Sequence, residues 1–364
     1  MPNFEKPKRI LVAPLDWGLG HATRCIPVIR ELKKKKAEVF IASSGSALLL
    51  LKEEFPELTF FEIAPYGVHY SRVLPFMVSM FFQLPKFMQA IRKEHEQIGR
   101  IVSGNKIDVI ISDNRFGCRA PGTISVFITH QVTVLMPPLL KWIGPLINYF
   151  NQREIRKFDL CWVPDESDHR MTGTLTRADH LSLRYIGMLS RFEKLANVDK
   201  KYDLLVLLSG PEPQRTVMEE VMLKQLAESN LNVLLVRGLP GNKHADIYLS
   251  KNSKVENHLN AGALNRAIEE SEMIICRSGY STIMDLARLN KKAILIPTSG
   301  QTEQEYLAKR IFDKKIAFVT QLNDLAVAEA MASANDFSGF SMISEHSLLS
   351  TAINELLTGT TIEH

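Results

Sequence analysis

The sequence predicts an α/β protein made of two doubly wound parallel sheets in succession. Three observations carry this. Apolar runs of strand length alternate with longer stretches of helical periodicity. The alternation lapses over residues 185–201, which are polar and without strong periodicity, and restarts with a fully apolar strand at 203–208. The 364 residues are enough for two sizeable cores.

The elements follow in order. Residues 9–14 form the first strand, RILVAP, and a glycine-rich turn leads into a helix over 21–35. The lysines at 33–36 end that helix, where the dipole favours cations and solvent takes the charge. A strand at 37–42, a helix at 46–54 and a strand at 58–63 come next. Long helical patterns run to about residue 103, followed by strands at 107–112 and 124–128 and a further short one at 161–164. After the join come the strand 203–208, a helix over 216–229 and a strand over 232–236. The stretch SEMIICRSGYSTIMDLARLNKKAILIPTSGQTEQEYLA then reads as strand, tight turn, helix, strand, tight turn, helix. A final helical pattern covers 347–357.

Composition narrows the function classes. Apolar content of 45% and charged content of 23% are ordinary for a globular protein. The net charge of +4 comes without a dense basic stripe interleaved with aromatics, so nucleic acid is not expected as a partner. The four cysteines are scattered, with no CxxC and no His pair at ligand spacing, so no metal site is expected and a reducing cytoplasm fits. The N-terminal apolar run is one strand long and ends in Asp16, unlike a signal peptide.

The chemistry concentrates between Ser271 and Ala308. Two strands run into two helix N-termini, where free N–H groups and the dipole favour phosphate. Gly279 admits backbone close to a ligand. Asp285, one turn into the first helix, can accept from ribose hydroxyls, and Gln304 and Glu305, opening the second, can hydrogen-bond a sugar. A diphosphate between a ribose and a hexose is a nucleotide-sugar donor.

These residues resemble the donor lobe of nucleotide-sugar glycosyltransferases of the GT-B fold, in particular the group of the peptidoglycan-precursor N-acetylglucosaminyltransferase and the galactolipid synthases. That group carries Arg-Ser-Gly, a Thr, and an acidic residue eight positions after the Arg, here Arg277, Ser278, Gly279, Thr282 and Asp285. A strand-end Pro and a Gln pair follow, here Pro297, then Gln304 and Glu305 just after the Thr298–Gln301 turn. Two positions depart from the pattern: Asp285 stands for the usual Glu, and Glu305 for the second Gln. The resemblance implies two Rossmann-like domains facing a cleft. The N-terminal acceptor-side domain would span 1–186 and the donor domain 187–344, with a helix at about 345–358 crossing back onto the first. It implies ribose on Asp285 and donor sugar on Gln304, with Gln301 nearby. The backbone near Asn260 and Ala261 would face a base expected to be uracil.

The first loop, DWGLGHATR, holds Gly18 and Gly20 before a helix. A dinucleotide fingerprint fails, because Thr23 takes the third glycine position and the second strand ends in Ala-Ser-Ser where an acidic residue would bind ribose. The loop instead resembles the Gly-x-Gly-His-x-x-Arg loop of the nucleotide-sugar hydrolase of pseudaminic acid synthesis, with Gly18, Gly20, His21 and Arg24. A His at a helix N-terminus is kept neutral by the dipole and can act as a base. Asp113, beside Asn114 and Arg115, and His130, beside Gln131, follow strands and are the reserve catalytic candidates, set against plain loop capping. In LLSGPEPQR, Ser209 and Gly210 could touch the diphosphate and Arg215 neutralise it, although two prolines remove N–H donors. No Asp-x-Asp motif occurs, which fits leaving-group stabilisation by a helix dipole and an Arg without metal.

Two apolar segments, 73–91 and 132–150, are each interrupted by prolines and a lysine well short of a bilayer span. They read either as helices covering the sheet or as a patch resting on a membrane. The expectation is thus a cytoplasmic, metal-independent, inverting glycosyltransferase without cofactor. It would move a hexose or N-acetylhexosamine from a UDP-sugar to a carbohydrate or lipid-linked acceptor of the cell envelope, with peripheral contact at the inner membrane face. A nucleotide-sugar hydrolase or epimerase on the same fold, and an inactive UDP-sugar-binding protein, are the alternatives.

Overall fold

The computed structural model describes residues 6–66, 76–178, 180–210, 212–239, 247, 249–341 and 347–359, of which 76–84 and 347 are described by their backbone alone. The chain divides into two compact units, Met1–Leu189 with Ser344–His364, and Ser190–Ile343.

The first unit contains β1 (Arg9–Pro14), α1 (Leu19–Lys34), β2 (Glu38–Ser43), α2 (Gly45–Glu54), β3 (Thr59–Glu62), α3 (Phe76–Asn105), β4 (Val109–Asp113) and β5 (Ile124–Ile128). A 3₁₀ turn (Pro138–Ile143) then leads into α4 (Gly144–Ile155), β6 (Leu160–Val163) and β7 (Leu183–Tyr185). The strands form one parallel sheet in the order β3-β2-β1-β4-β5-β6-β7. Central strands buried on both faces explain the unbroken apolar runs: Ile10, Leu11, Val12 and Ala13 are all fully buried. The order reverses between β1 and β4, the switch point at which open α/β sheets bind ligands. Register there sets Pro14 beside Asp113.

The second unit contains β8 (Tyr202–Leu207), α5 (Gln214–Leu226), β9 (Val233–Val236), β10 (Ser253–Glu256), α6 (Ala261–Glu269) and β11 (Ser271–Cys276). It continues with α7 (Tyr280–Arg288), β12 (Ala293–Leu295), α8 (Thr302–Asp313), β13 (Phe318–Val319) and α9 (Val327–Ala334). Its sheet is parallel in the order β10-β9-β8-β11-β12-β13, so its switch point lies between β8 and β11. Its core joins Leu204, Val206, Met218, Met222, Ile275 and Ile294 across sheet and helices.

The last helix, α10 (Ser347–Thr358), belongs to the first unit. It lies against α1, buries Ala352, Ile353 and Leu356, and is tied by Arg184 donating to Glu355 at 2.8 Å. Three strands differ from the sequence reading. β7, β10 and β13 are two to four residues long and half-exposed, so they carry little apolar signal. Of the apolar segment 73–91, residues 73–75 and the side chains of Phe76, Met77, Met80, Phe81 and Phe82 lie outside the described residues. No helix among the described residues is long and apolar enough to cross a membrane.

Candidate functional site

In the first unit the functional side chains gather at the β1/β4 switch point. Gly18 caps α1 with φ 78°, a left-handed conformation suited to glycine. The helix starts at Leu19, two residues before the expected start, so Gly20 and His21 sit in its first turn. Asp113 closes β4, and its position next to Pro14 brings it under that turn. Oδ1 of Asp113 accepts from Nδ1 of His21 at 2.8 Å. The same Nδ1 lies 2.9 Å from the donor Arg24 Nη2; in the tautomer whose Nδ1–H donates to the carboxylate, which only accepts, Nε2 keeps its lone pair.

Arg24, one turn further along α1, is 2 % exposed and donates through Nε and Nη2 to both oxygens of Asp113. Its Nη1 donates to Nδ1 of His130 at 2.6 Å. Arg24 was expected to bind substrate; it is instead the buried clamp of the cluster, because the helix repeat turns it inward beneath His21. His130, 6 % exposed, is the partner of that clamp. Burial lowers the His21 pKa, and the Arg24 guanidinium adds to this while Asp113 opposes it. Neutrality of His21 thus follows first from desolvation, not from the helix dipole alone. Burial also raises Asp113, but Arg24 and His21 outweigh it and hold the carboxyl well below the usual carboxylate range.

A second buried arginine fixes the loop. Arg115 donates to Pro14 O at 3.1 Å, Asp16 Oδ1 at 3.1 Å, Ser44 Oγ at 3.1 Å and Glu94 Oε1 at 2.5 Å. Tyr66 adds its hydroxyl to Glu94 at 2.6 Å. These bonds join the ends of β1, β2 and β4 to the middle of α3, so the strand end that leads into the Gly18–His21 turn is held from below.

In the second unit the turns after β11 and β12 are knitted together. Ser278, fully buried, donates its hydroxyl to Gln304 O at 2.9 Å. Gln304 Oε1 accepts from Thr298 N at 3.0 Å, and its Nε2 donates to Gln301 Oε1 at 2.6 Å. Glu305 accepts from Gly300 N at 2.8 Å. The side chains of Ser278, Gln304 and Glu305, expected on the substrate, are therefore engaged in shaping the turns. Of the two helix N-termini, that of α8 carries Glu303 and Glu305, whereas the first turn of α7 holds no acid. Phosphate is thus favoured at α7. Gly279 caps α7 with φ −68°, and a Cβ there would meet only Thr282 Oγ1 at 3.9 Å, so its own fold does not demand glycine.

Arg277 precedes that cap at 3 % exposure. It donates to the carbonyls of Ile296, Pro297 and Gln214 at 3.4, 3.3 and 2.9 Å, and its buried Nε has no partner among the described residues. Burial pushes its pKa down to about 10. Such a guanidinium gains most from an anion. Arg215, by contrast, was expected to neutralise diphosphate and is already paired. It donates to Glu212 at 2.6 Å, Glu219 at 2.8 Å and Thr216 at 2.7 Å. The i,i+4 spacing to Glu219 along α5 is the sequence signal that indicates this. Ser209 and Gly210 are exposed after β8. Asn260 caps α6 by accepting from Ala263 N at 2.9 Å, with Ala261 the first helical residue.

Asp285 accepts from the Ser190 hydroxyl at 2.6 Å. Burial raises its pKa to about 6, against the opposing pull of Arg191 and of Ser190. Ser190 lies 95 residues away in sequence, and nothing in its local pattern marks it.

Comparison with known proteins agrees with this architecture. Residues 213–338 match the model of the glycosyltransferase family 28 C-terminal domain. A curated relative from Methanosarcina mazei, described as an uncharacterized glycosyltransferase, is 21% identical, covering 82% of this chain and 81% of its own. The glycotransferase of kitacinnamycin superimposes with TM-score 0.65 at 14% identity over 97% of this chain and 95% of its own. The glycosyltransferase VinC, solved in complex with DTDP, does so with TM-score 0.58 at 12% identity over 96% and 98%. The fold is GT-B, two parallel-sheet α/β units, and the match across the second unit supports a glycosyltransferase.

Proposed function

We propose that this protein transfers a sugar from a uridine diphosphate donor, bound by the second unit, to an acceptor hydroxyl deprotonated by His21. The observation that supports the reading is the Asp113–His21 bond, which in the Nδ1–H tautomer leaves Nε2 as a base on a ring whose pKa burial lowers. In the step, the acceptor oxygen attacks the anomeric carbon and gives its proton to Nε2. The bond from the anomeric carbon to the β-phosphate oxygen breaks, and its electrons leave with UDP. Direct displacement inverts the anomeric centre. Asp113 stabilises the imidazolium that forms, as the acidic member of a triad does. The N-terminus of α7 and the Arg277 guanidinium take up the charge of the departing diphosphate, with Ser209 and Gly210 alongside. Asp285 accepts from the ribose, the backbone at Asn260 and Ala261 meets the base, and Gln301, Gln304 and Thr282 border the sugar. The donor sugar is a hexose or N-acetylhexosamine. The diphosphate site is charged by protein groups, and no divalent metal is required.

The test is UDP release from UDP-glucose and UDP-N-acetylglucosamine, with and without carbohydrate and polyprenol-linked acceptors. Release that depends on acceptor supports transfer. Equal release into water would replace transfer by hydrolysis. Binding of UDP without any release would leave a binding protein.

A further inference from the structure

The 3₁₀ turn Pro138–Ile143 buries no residue, and α4 buries only Gly144 and Ile155. The side of α4 that faces its own unit is polar. Asn148 accepts from Val134 N at 2.7 Å and donates to Val134 O at 3.2 Å. Asn151 donates to the carbonyls of Gln131 and Val132 at 3.1 and 3.0 Å. Gln152 also reaches Val132 O, at 3.4 Å. The outward side is apolar: Leu139 is 88 % exposed, Trp142 79 %, Leu146 54 %, Tyr149 56 % and Phe150 47 %. Steps of three and four residues set these on one stripe. The usual amphipathic arrangement is inverted, with amides inside and large apolar side chains outside.

We propose that this stripe lies on an anionic lipid surface. Exposed Lys141 stands within the stripe, and exposed Arg153, Arg156 and Lys157 continue it beyond Phe150, against the single acid Glu154, which pairs with Lys157 at 2.6 Å. Trp and Tyr among basic residues suit the headgroup layer, where their rings have one apolar and one wet side. The basic groups select negative headgroups. A second copy is the poorer occupant, since a two-fold contact sets the same patch against itself and would press these cations together. The inference concerns a surface that takes no part in the proposed transfer chemistry, and it stands or falls separately from it.

Co-sedimentation of the full chain with vesicles tests it, comparing phosphatidylcholine containing phosphatidylglycerol with phosphatidylcholine alone. The protein should pellet with the anionic vesicles and remain in the supernatant with the neutral ones. Leu139→Ser with Trp142→Ser should weaken partition by roughly tenfold or more, and Lys141→Glu and Arg153→Glu by about fivefold each or more. All four positions are exposed, so the fold should tolerate these changes. A wild-type readout needs no variant: emission from Trp142, the one indole in the outward stripe, should shift to the blue with anionic vesicles. Absence of pelleting and of that shift, equal binding to both vesicle types, or variants that pellet like the wild type would each overturn the proposal. A dimer that Trp142→Ser dissociates, with no vesicle binding, would assign the stripe to a second copy instead.

Discussion

Donor affinity should depend on pH through Asp285, and the structure gives the midpoint. The carboxyl is raised from 3.8 to about 6, chiefly by burial. In the proposed donor site, Asp285 as a carboxylate would accept from ribose hydroxyls; protonated, it would lose part of that capacity. One unit below the midpoint only about a tenth of the carboxyl is ionised, so affinity should fall by roughly fivefold to tenfold between neutrality and about pH 5. The perturbation is Asp285→Asn, which cannot titrate, with Asp285→Ala expected to cost ~1–3 kcal/mol of binding near neutrality. Calorimetry with an intact UDP-sugar is the assay, because its diphosphate is esterified at both ends and lacks the terminal phosphate ionisation near pH 6. Stability carries a linked signature. A carboxyl raised in the folded state contributes stability that is complete below about 3.8 and is lost as pH rises through about 6. Wild type should therefore lose Tm relative to Asp285→Asn across that window. Parallel affinity curves for wild type and Asp285→Asn would refute the assignment of ribose to Asp285.

Four further outcomes follow. Arg24→Gln removes the charge that helps lower His21 and leaves Asp113 to raise it, so the acid limb of kcat against pH should move to higher pH; an unmoved limb would separate His21 from the titration. The same variant removes the guanidinium partner of a buried carboxylate, leaving it only His21, and should cost about 3–5 kcal/mol in chemical denaturation, read beside wild type. Arg215→Ala should lower Tm through loss of its pairs with Glu212 and Glu219 while UDP affinity, measured by calorimetry, stays within about twofold. Turnover should survive EDTA; complete loss restored by manganese or magnesium would overturn the metal-independent reading.

The strands buried on both faces were legible as apolar runs, and so were the two turns at Arg277 and Thr298, because glycine, proline and helix starts mark them. Legible in kind but not in arrangement were His21, Asp113, Arg24 and His130. Each sits after a strand or early in a helix, yet only the adjacency of β1, β4 and β5 turns four separate positions into one hydrogen-bonded cluster. Arg215 was read as neutralising diphosphate, and Arg24 as binding substrate from its place in the loop; both have buried carboxylate partners, one of them four residues along the same helix and the other 89 residues away. Arg277 had the same charge and finds only carbonyls. The contact of Ser190 with Asp285 rests on the path of the chain where the second unit begins, which no local pattern encodes.

The central claim is that His21 is the base of a transfer reaction whose donor is held elsewhere in the chain. It is tested most directly by single-turnover transfer from a UDP-sugar by wild type and His21→Ala, with UDP affinity measured on both proteins. Loss of the base should cut the rate by ~10²–10⁴-fold. UDP affinity should not change, because Arg277, Asp285 and the α7 N-terminus are untouched. Near-normal turnover in His21→Ala would contradict the account and shift the search for the base to Asp113 and His130.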